Sequence, residues 1–259
     1  MKFRILAASM IAGIAAYALP AAAQIGPVPS GWSCTGNCGT DTADGVVGLS
    51  PHGSSSYQWI STAAGPSGVG QIAGIGGTNG SVLTTPVFTA LSGDPLQFYF
   101  NFVTSDGAIY ADYAWSALFN ASDNSIAAYL FTARTEPSGN ISPGAGLPAN
   151  ASTLIPPTSG IAAGGPAWGP LAGSSGTCFD AGCGYTGWIE SLYNIPTSGD
   201  YYVGFGTTNW LDTAYQTGMA IDGVTVNNVE IPTGTPEPAS LVLFASGLLG
   251  LRAMRRRLG

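Results

Sequence analysis

The strongest constraint on the fold is a strict alternation of apolar and polar side chains. From Leu96 to Phe102, every second residue is apolar and the residues between them are Gln97, Tyr99 and Asn101. A period of two is typical of a β-strand with one face in the core. Further strands are predicted over residues 126–132, 189–195 and 201–205, and one helical turn is expected within 110–120. The pattern contains no long amphipathic helix, so it predicts an all-β domain.

Glycine and proline are concentrated between these strands. The chain has 259 residues, with 38 glycines and 18 prolines, and the glycines have no three-residue period, which excludes collagen. A hydrophobic content of 45% excludes a charged, disordered chain. No apolar run reaches about 18 residues, which excludes a multi-span membrane protein. We therefore predict a two-layer antiparallel β-sandwich of the jelly-roll kind over residues 24–231.

The last predicted strand changes its apolar parity. Met219 and Ile221 occupy odd positions, whereas Val224 and Val226 occupy even positions. A one-residue bulge at Asp222-Gly223 would return the apolar side chains to the same face, and glycine permits such a bulge.

The N-terminus is typical of a secretory signal peptide over residues 1–23. Two basic residues precede an apolar core over 5–19, and small residues lie before a cleavage site between Ala23 and Gln24. Signal peptidase would then be a transient partner. The alternative is a short N-terminal anchor helix.

The C-terminus has the sequence Pro236-Glu237-Pro238, then an apolar run over 239–251, then four arginines: Arg252, Arg255, Arg256 and Arg257. As a helix, the apolar run would span about 20 Å, less than the roughly 30 Å of a bilayer core. The basic tail should stay cytoplasmic, which leaves the body outside. The sequence thus predicts a short transmembrane helix that anchors the chain transiently in the inner membrane.

This order of elements resembles the PEP-CTERM sorting signal of Gram-negative bacteria, here over residues 232–259. The resemblance implies recognition by the membrane protease exosortase, cleavage near Pro236-Glu237-Pro238, and delivery to the cell surface or extracellular matrix. A plain tail anchor is the alternative. The signal describes transport and implies no catalytic activity.

Removing both ends changes the charge of the chain. Of the 7 basic and 14 acidic residues, only Arg134 and 13 acidic residues fall within 24–235, so the net charge there is −12 and lysine is absent. Such a field argues against a nucleic-acid partner and would attract divalent cations or basic surfaces. The alternative is that the charge only keeps a secreted protein soluble.

All four cysteines lie in the body, as the closely spaced pairs Cys34 and Cys38, and Cys178 and Cys183. An even count in an exported chain predicts disulfides. Local pairing is favoured because both short loops contain glycine. Cross-pairing would stabilise the fold more, and a four-cysteine zinc site is the third reading.

The body also resembles the globular part of a recurring group of PEP-CTERM proteins. The resemblance extends over most of residues 31–231 and is carried by five segments: Trp32–Gly39, Phe98–Gly107, Ala111–Trp115, Cys183–Trp188 and Gly206–Gly223. It implies a surface β-sandwich related in style to carbohydrate-binding modules, with no assigned activity.

Residues suited to catalysis are few. His52 is the only histidine and lies in a turn-like segment, where a solvated loop position is the simpler reading. A glycosidase needs two carboxyl groups roughly 5–9 Å apart. No spacing selects a pair from the candidates, which are Asp106, Asp112, Asp123, Glu190, Asp212 and Asp222.

Two binding features complete the candidate list. A structural calcium site would use Asn209, Asp212 and Asp222, and the Ile-Asp-Gly-Val segment around Asp222 resembles sugar-binding modules that carry such an ion. Alternatively, Asp222 only caps the bulge. Trp168, in a Pro/Gly-rich loop, is predicted to be exposed for stacking on sugars. We therefore expect a non-enzymatic, exported surface protein with a structural or adhesive role in biofilm or exopolysaccharide. It requires no cofactor, and a carbohydrate-binding module and then a glycoside hydrolase are the alternatives.

Overall fold

The structure is a computed structural model, and it describes residues 26–231. The predicted signal peptide with its cleavage residues Ala23 and Gln24, the sorting motif, the C-terminal helix and the basic tail all lie outside the described residues. The described part contains fifteen strands and one 3-10 segment at Gly169–Ser174. The strands are β1 (Ser33–Thr35), β2 (Asn37–Asp41), β3 (Tyr57–Ser61), β4 (Gly80–Thr84), β5 (Phe88–Ala90), β6 (Pro95–Thr104), β7 (Tyr113–Asn120), β8 (Ile126–Arg134), β9 (Thr153–Ile155), β10 (Ala162–Ala163), β11 (Gly184–Tyr185), β12 (Ile189–Asn194), β13 (Gly199–Thr208), β14 (Thr217–Val226) and β15 (Val229–Glu230).

The strands form two sheets. The six-stranded sheet has the order β1-β4-β13-β7-β8, with β5 beside β13. The nine-stranded sheet has the order β10-β11-β6-β14-β3-β2; β12 lies beside β6, β9 beside β12 and β15 beside β14. Every pairing between these strands is antiparallel. The prediction of an all-β, two-layer antiparallel fold is therefore confirmed. Within residues 26–231, no helix is long and apolar enough to cross a bilayer.

Aromatic side chains join the two sheets. Phe98, Phe100 and Phe102 of β6 point into the core, as their alternation predicts, and none is more than 1% exposed. The Phe100 ring stacks on Phe131 of β8 with 3.7 Å between centroids, and Phe98 meets Phe205 of β13 edge-on at 5.3 Å. Each buried aromatic side chain removes a large apolar area from water, so this layer supplies much of the driving force for folding.

The outer face of the six-stranded sheet is also covered. The loop over residues 62–79 lies on it, and Ile72 packs there with Tyr113 and Trp115 of β7. Trp115 Nε1 donates a hydrogen bond of 2.7 Å to the Gly70 carbonyl oxygen. The expected helical turn within 110–120 is therefore wrong, because β7 has apolar side chains on both faces, which hides its period of two.

Two glycines of β13 make room for this covering. A Cβ atom on Gly206 would lie 2.3 Å from Trp115 Cε2, and one on Gly204 would lie 2.7 Å from Phe119 Cε2. The aromatic rings of β7 thus lie directly over the backbone of β13. This contact explains why glycines alternate with Val203 and Phe205 along the strand.

Both disulfides are local. Cys34 bonds Cys38 across the turn between β1 and β2, and Cys178 bonds Cys183 in the loop before β11. The favoured pairing is confirmed, and the cross-paired and zinc readings are wrong. Each bridge fixes one short surface loop and joins no distant parts of the chain.

Candidate functional site

A bulge in β14 shapes the first candidate site. The pairing of β14 with β6 shifts by one residue between Asp222 and Thr225, and Gly223 has φ +63°. Asp222 Oδ1 accepts a hydrogen bond of 2.8 Å from the Gly223 N–H, and Oδ2 accepts one from the Ser50 hydroxyl. The predicted bulge is present, and the Asp222 carboxylate caps it by accepting a hydrogen bond from the next backbone N–H.

His52 lies against this bulge. A Cβ atom on Gly223 would be 2.5 Å from His52 Cγ, so the imidazole ring packs on the glycine. His52 Nε2 lies 3.0 Å from Glu230 Oε1, which is the one contact in residues 26–231 between a side chain that can carry positive charge and a carboxylate. In the described part of the chain, the His52 ring has no hydrogen bond to a serine hydroxyl, which is the contact a catalytic triad requires.

Asp222, Gly223 and Glu230 line a cavity of about 280 Å³, here named the Asp222 pocket. Its walls are Trp32, Ser54, Ser55, Ser56, Gln58, Asp222, Gly223, Val224, Glu230 and Ile231. Hydroxyl, amide and carboxylate groups around one tryptophan suit a small polar ligand. Two carboxylates share the pocket, as a glycosidase would need. Ser50 and Gly223 already bind one carboxylate and His52 binds the other.

The opposite end of the sandwich carries a second polar cluster. The segments over 105–112, 175–183 and 209–216, here named the loop end, contact one another. Ser105 N–H donates to the Gln216 carbonyl, Phe179 N–H to the Ser105 carbonyl, and Ala108 N–H to the Ala181 carbonyl. These bonds bring Asp106, Asp112 and Asp212 close together. Besides burial, charge repulsion from Asp212 raises the pKa of both Asp106 and Asp112, and repulsion from Asp106 raises that of Asp112.

Asp112 is a fully buried carboxyl group of the loop end. Its Oδ1 accepts a hydrogen bond of 2.7 Å from the Trp210 N–H, and its Oδ2 accepts one of 2.6 Å from the Thr217 hydroxyl. Burial raises the pKa of Asp112 well above its usual value, the Thr217 bond opposes that rise, and the Asp106 carboxylate adds to it. Burial also raises the pKa of Asp106, to about 7. Asp106 and Asp112 were two of the six glycosidase candidates in the sequence, and their spacing gave no reason to select them from the others.

The predicted calcium ligands do not meet at one point. Asn209 and Asp212 lie at the loop end, where Asn209 Nδ2 is 3.5 Å from Gln216 Oε1. Asp222 lies six residues beyond Gln216, about 20 Å away at roughly 3.3 Å per strand residue. The prediction of one calcium site formed by Asn209, Asp212 and Asp222 is therefore wrong. Within residues 26–231, no three His, Cys, Asp or Glu side chains converge to hold a metal ion.

The structure also contradicts the prediction that Trp168 is exposed. It is 1% exposed, and its Nε1 donates a hydrogen bond of 3.0 Å to the Tyr57 hydroxyl. It packs with Tyr57, Trp59 and Val103 on the outer face of the nine-stranded sheet. The Pro/Gly-rich loop thus folds onto the sheet, where Trp168 closes a second core and cannot stack on a sugar.

One exposed aromatic side chain, with two half-buried tyrosines beside it, occurs instead at the loop end. Phe179 is 41% exposed and lies between Tyr110 and Tyr215, with ring centroids 5.3 Å and 4.9 Å away. These three residues are here named the aromatic cluster. Ile109 and Leu211 beside it are 64% and 66% exposed. The one feature of the sequence that could have indicated this cluster is the position of Phe179, a large apolar residue inside the short disulfide loop.

Comparison with known proteins identifies the C-terminal segment. Residues 235–257 match the family described as the PEP-CTERM protein-sorting motif. The chain therefore carries an exosortase sorting signal, which implies export through a membrane-anchored precursor to the cell surface.

The sandwich itself is similar to solved adhesin domains. The K1 and K3 cleaved adhesin domains of Lys-gingipain from Porphyromonas gingivalis each share 13% identity with this chain at a TM-score of 0.33. The alignments cover 76% and 78% of this chain and 94% and 100% of those domains. No curated protein matches the chain.

Proposed function

We propose that the mature chain is a non-enzymatic structural or adhesive component of the extracellular matrix, in a biofilm or exopolysaccharide layer, after exosortase has removed its C-terminal segment. The observation that carries this proposal is the position of the sorting motif relative to the fold. Among the described residues, the last strand, β15, ends at Glu230, and the matched motif begins at residue 235. Cleavage near Pro236-Glu237-Pro238 therefore leaves all fifteen described strands, β1 to β15, in the mature chain.

The chemistry of the body supports an extracellular role. Both disulfides need an oxidising compartment to persist. Residues 24–235 contain 13 acidic residues against one arginine. A surface with this charge stays soluble and binds divalent cations, which could bridge it to acidic polysaccharide.

The test is the fate of the chain in its native host. With Glu237→Gln, we expect full-length protein to accumulate in the inner membrane and the matrix fraction to lose it. Glu136→Gln, a matched change in the body, should be processed normally. Intact mass of the matrix form reports both trimmed ends. Equal amounts of both variants in the matrix, with the arginine tail still attached, would overturn the proposal.

A second candidate, carbohydrate binding, is supported by the aromatic cluster. Exposed aromatic faces beside apolar side chains are typical of interaction sites, and sugar rings present C–H faces that pack on them. Phe179→Ala should weaken retention on host polysaccharide about tenfold or more. Tyr202→Ala, which removes a ring stacked on Phe119 away from the loop end, should not. Equal retention of the two variants would contradict binding at this cluster.

A further inference from the structure

The loop end contains buried polar groups that are connected to one another. The Thr217 hydroxyl, which donates to Asp112, lies 2.7 Å from the Thr104 hydroxyl, and Thr104 Oγ1 accepts a bond of 3.1 Å from the Asp106 N–H. Asn209 is fixed on the other side, since its N–H donates to the Asn79 carbonyl at 2.9 Å and its Nδ2 donates to Asn79 Oδ1 at 3.1 Å. Asp106, Asp112 and Asn209 are all 0% exposed.

Two buried side-chain oxygens at the loop end have no hydrogen-bond partner within residues 26–231. Asp106 Oδ1 accepts a bond of 2.7 Å from the Gly107 N–H, but Asp106 Oδ2 is buried without a hydrogen bond. Asn209 Oδ1 is also buried and unbonded. Buried oxygens in native proteins are almost always satisfied, and those that are not point to a missing ion or water.

In the part of the chain that the structure describes, no basic side chain forms an ion pair with these carboxylates. Arg134 is the one arginine of the described residues, and its Nε and Nη1 donate to the Ala111 and Ala145 carbonyls. Its guanidinium lies 4.9 Å from the centre of the Trp210 ring, and it forms no ion pair. A buried carboxylate without a counterion is costly unless it takes up a proton or a metal ion.

We propose that the loop end binds one calcium ion through Asp106 Oδ2 and Asn209 Oδ1, with the Asp112 and Asp212 carboxylates supplying further negative charge. Carboxylate and amide oxygens are ligands that calcium accepts, and backbone carbonyls or water complete its six to eight positions. All four cysteines are held in disulfides, and His52, the one histidine, pairs with Glu230 away from the loop end, which argues against zinc.

The backbone around the cluster gives the ion a role. Ala111, Leu211 and Tyr215 have φ values of +38°, +71° and +49°, a region that these residues rarely occupy. Strained loops of this kind persist only where their surroundings hold them. A calcium ion between the segments over 105–112 and 209–216 would hold both, and with them Tyr110 and Tyr215 of the aromatic cluster.

The test uses the mature chain after treatment with chelator, near pH 8. Calcium chloride should raise the unfolding midpoint, with a dissociation constant on the order of 10⁻⁴–10⁻³ M, as in other extracellular modules. At calcium about ten times that constant, linkage gives a rise of about 3–6 °C for a domain of this size. Calorimetric titration should give one site per chain.

Variants locate the ion. Asp106→Asn and Asn209→Ala should each abolish the calcium-dependent rise, whereas Asp222→Asn and the exposed Asp200→Asn should keep it. If either loop-end variant fails to fold, terbium luminescence sensitised by Trp210 in the wild-type chain provides a second reading, and calcium should displace the terbium. An unchanged midpoint in millimolar calcium, or a rise that survives in Asp106→Asn, would overturn the proposal. The carboxyl groups would then be held neutral by protons.

Discussion

Gly206→Ala gives a direct test of the packing between β13 and β7. The new methyl group would lie 2.3 Å from Trp115 Cε2 and 2.5 Å from Trp115 Nε1, so the indole must move. Trp115 is 7% exposed, and moving it breaks its bond to the Gly70 carbonyl. Overpacking costs about 1–3 kcal/mol and a lost buried hydrogen bond about 1–3 kcal/mol. Alanine recovers about 0.5–1 kcal/mol over glycine in a strand. We expect a net loss of about 2–4 kcal/mol.

Gly204→Ala is the matched control on the same strand and face. Its methyl group would meet Phe119, but that ring is only half-buried and can tilt toward solvent, so we expect a loss below about 1 kcal/mol. Urea unfolding followed by tryptophan fluorescence, at fixed calcium, measures both. In a Trp115→Ala background, Gly206→Ala should lose most of its cost. A Gly206→Ala variant as stable as Gly204→Ala, or an undiminished cost without the indole, would refute this account.

Three further predictions concern the rest of the body. Trp168→Ala should destabilise the fold by about 3–5 kcal/mol, measured by urea unfolding, and leave polysaccharide retention per folded molecule unchanged, because the indole fills a core. Replacing Cys34 and Cys38 by serine should cost about 2 kcal/mol by the chain-entropy estimate, and an unchanged urea midpoint would contradict it. Burial raises the pKa of Tyr113 to about 12. Because the pKa is higher in the folded than in the unfolded protein, the contribution of Tyr113 to the free energy of unfolding is complete below about pH 10. That contribution, up to roughly 3 kcal/mol, is lost as the pH rises toward 12. Absorbance near 295 nm should therefore show the Tyr113 phenolate only as the pH approaches about 12 or when the protein unfolds.

The sequence predicted the sheets best where each strand has one apolar face. The run from Leu96 to Phe102 shows its period of two because Gln97 and Tyr99 face away from the core. The parity change at Asp222-Gly223 located the bulge for the same reason. The same pattern did not predict β7 as a strand. Its outer face is covered by the loop over 62–79 and is therefore apolar as well, so the strand shows no alternation.

The loop end could not be predicted from spacing. Asp106, Asp112 and Asn209 come from two different loops, and only the antiparallel pairing of β6 with β14 and of β7 with β13 brings these loops together. The prediction that Trp168 is exposed was wrong for a related reason. A Pro/Gly-rich segment is expected to be solvated, yet this one covers the nine-stranded sheet. Long-range contacts decided both outcomes, and local composition carried no information about them.

The placement of Arg134 bears on how long the protein survives outside the cell. Proteases that cut after lysine or arginine find a single such bond in residues 26–231, the one between Arg134 and Thr135. Arg134 ends β8, paired with Tyr113, and Thr135 is 1% exposed, with its N–H donating to the Asp112 carbonyl oxygen. A trypsin-like enzyme would have to peel this strand end from the sheet before it could cleave. The folded body should therefore outlast most secreted proteins in a protease-rich medium, and amine-directed fixatives would find no lysine to react with.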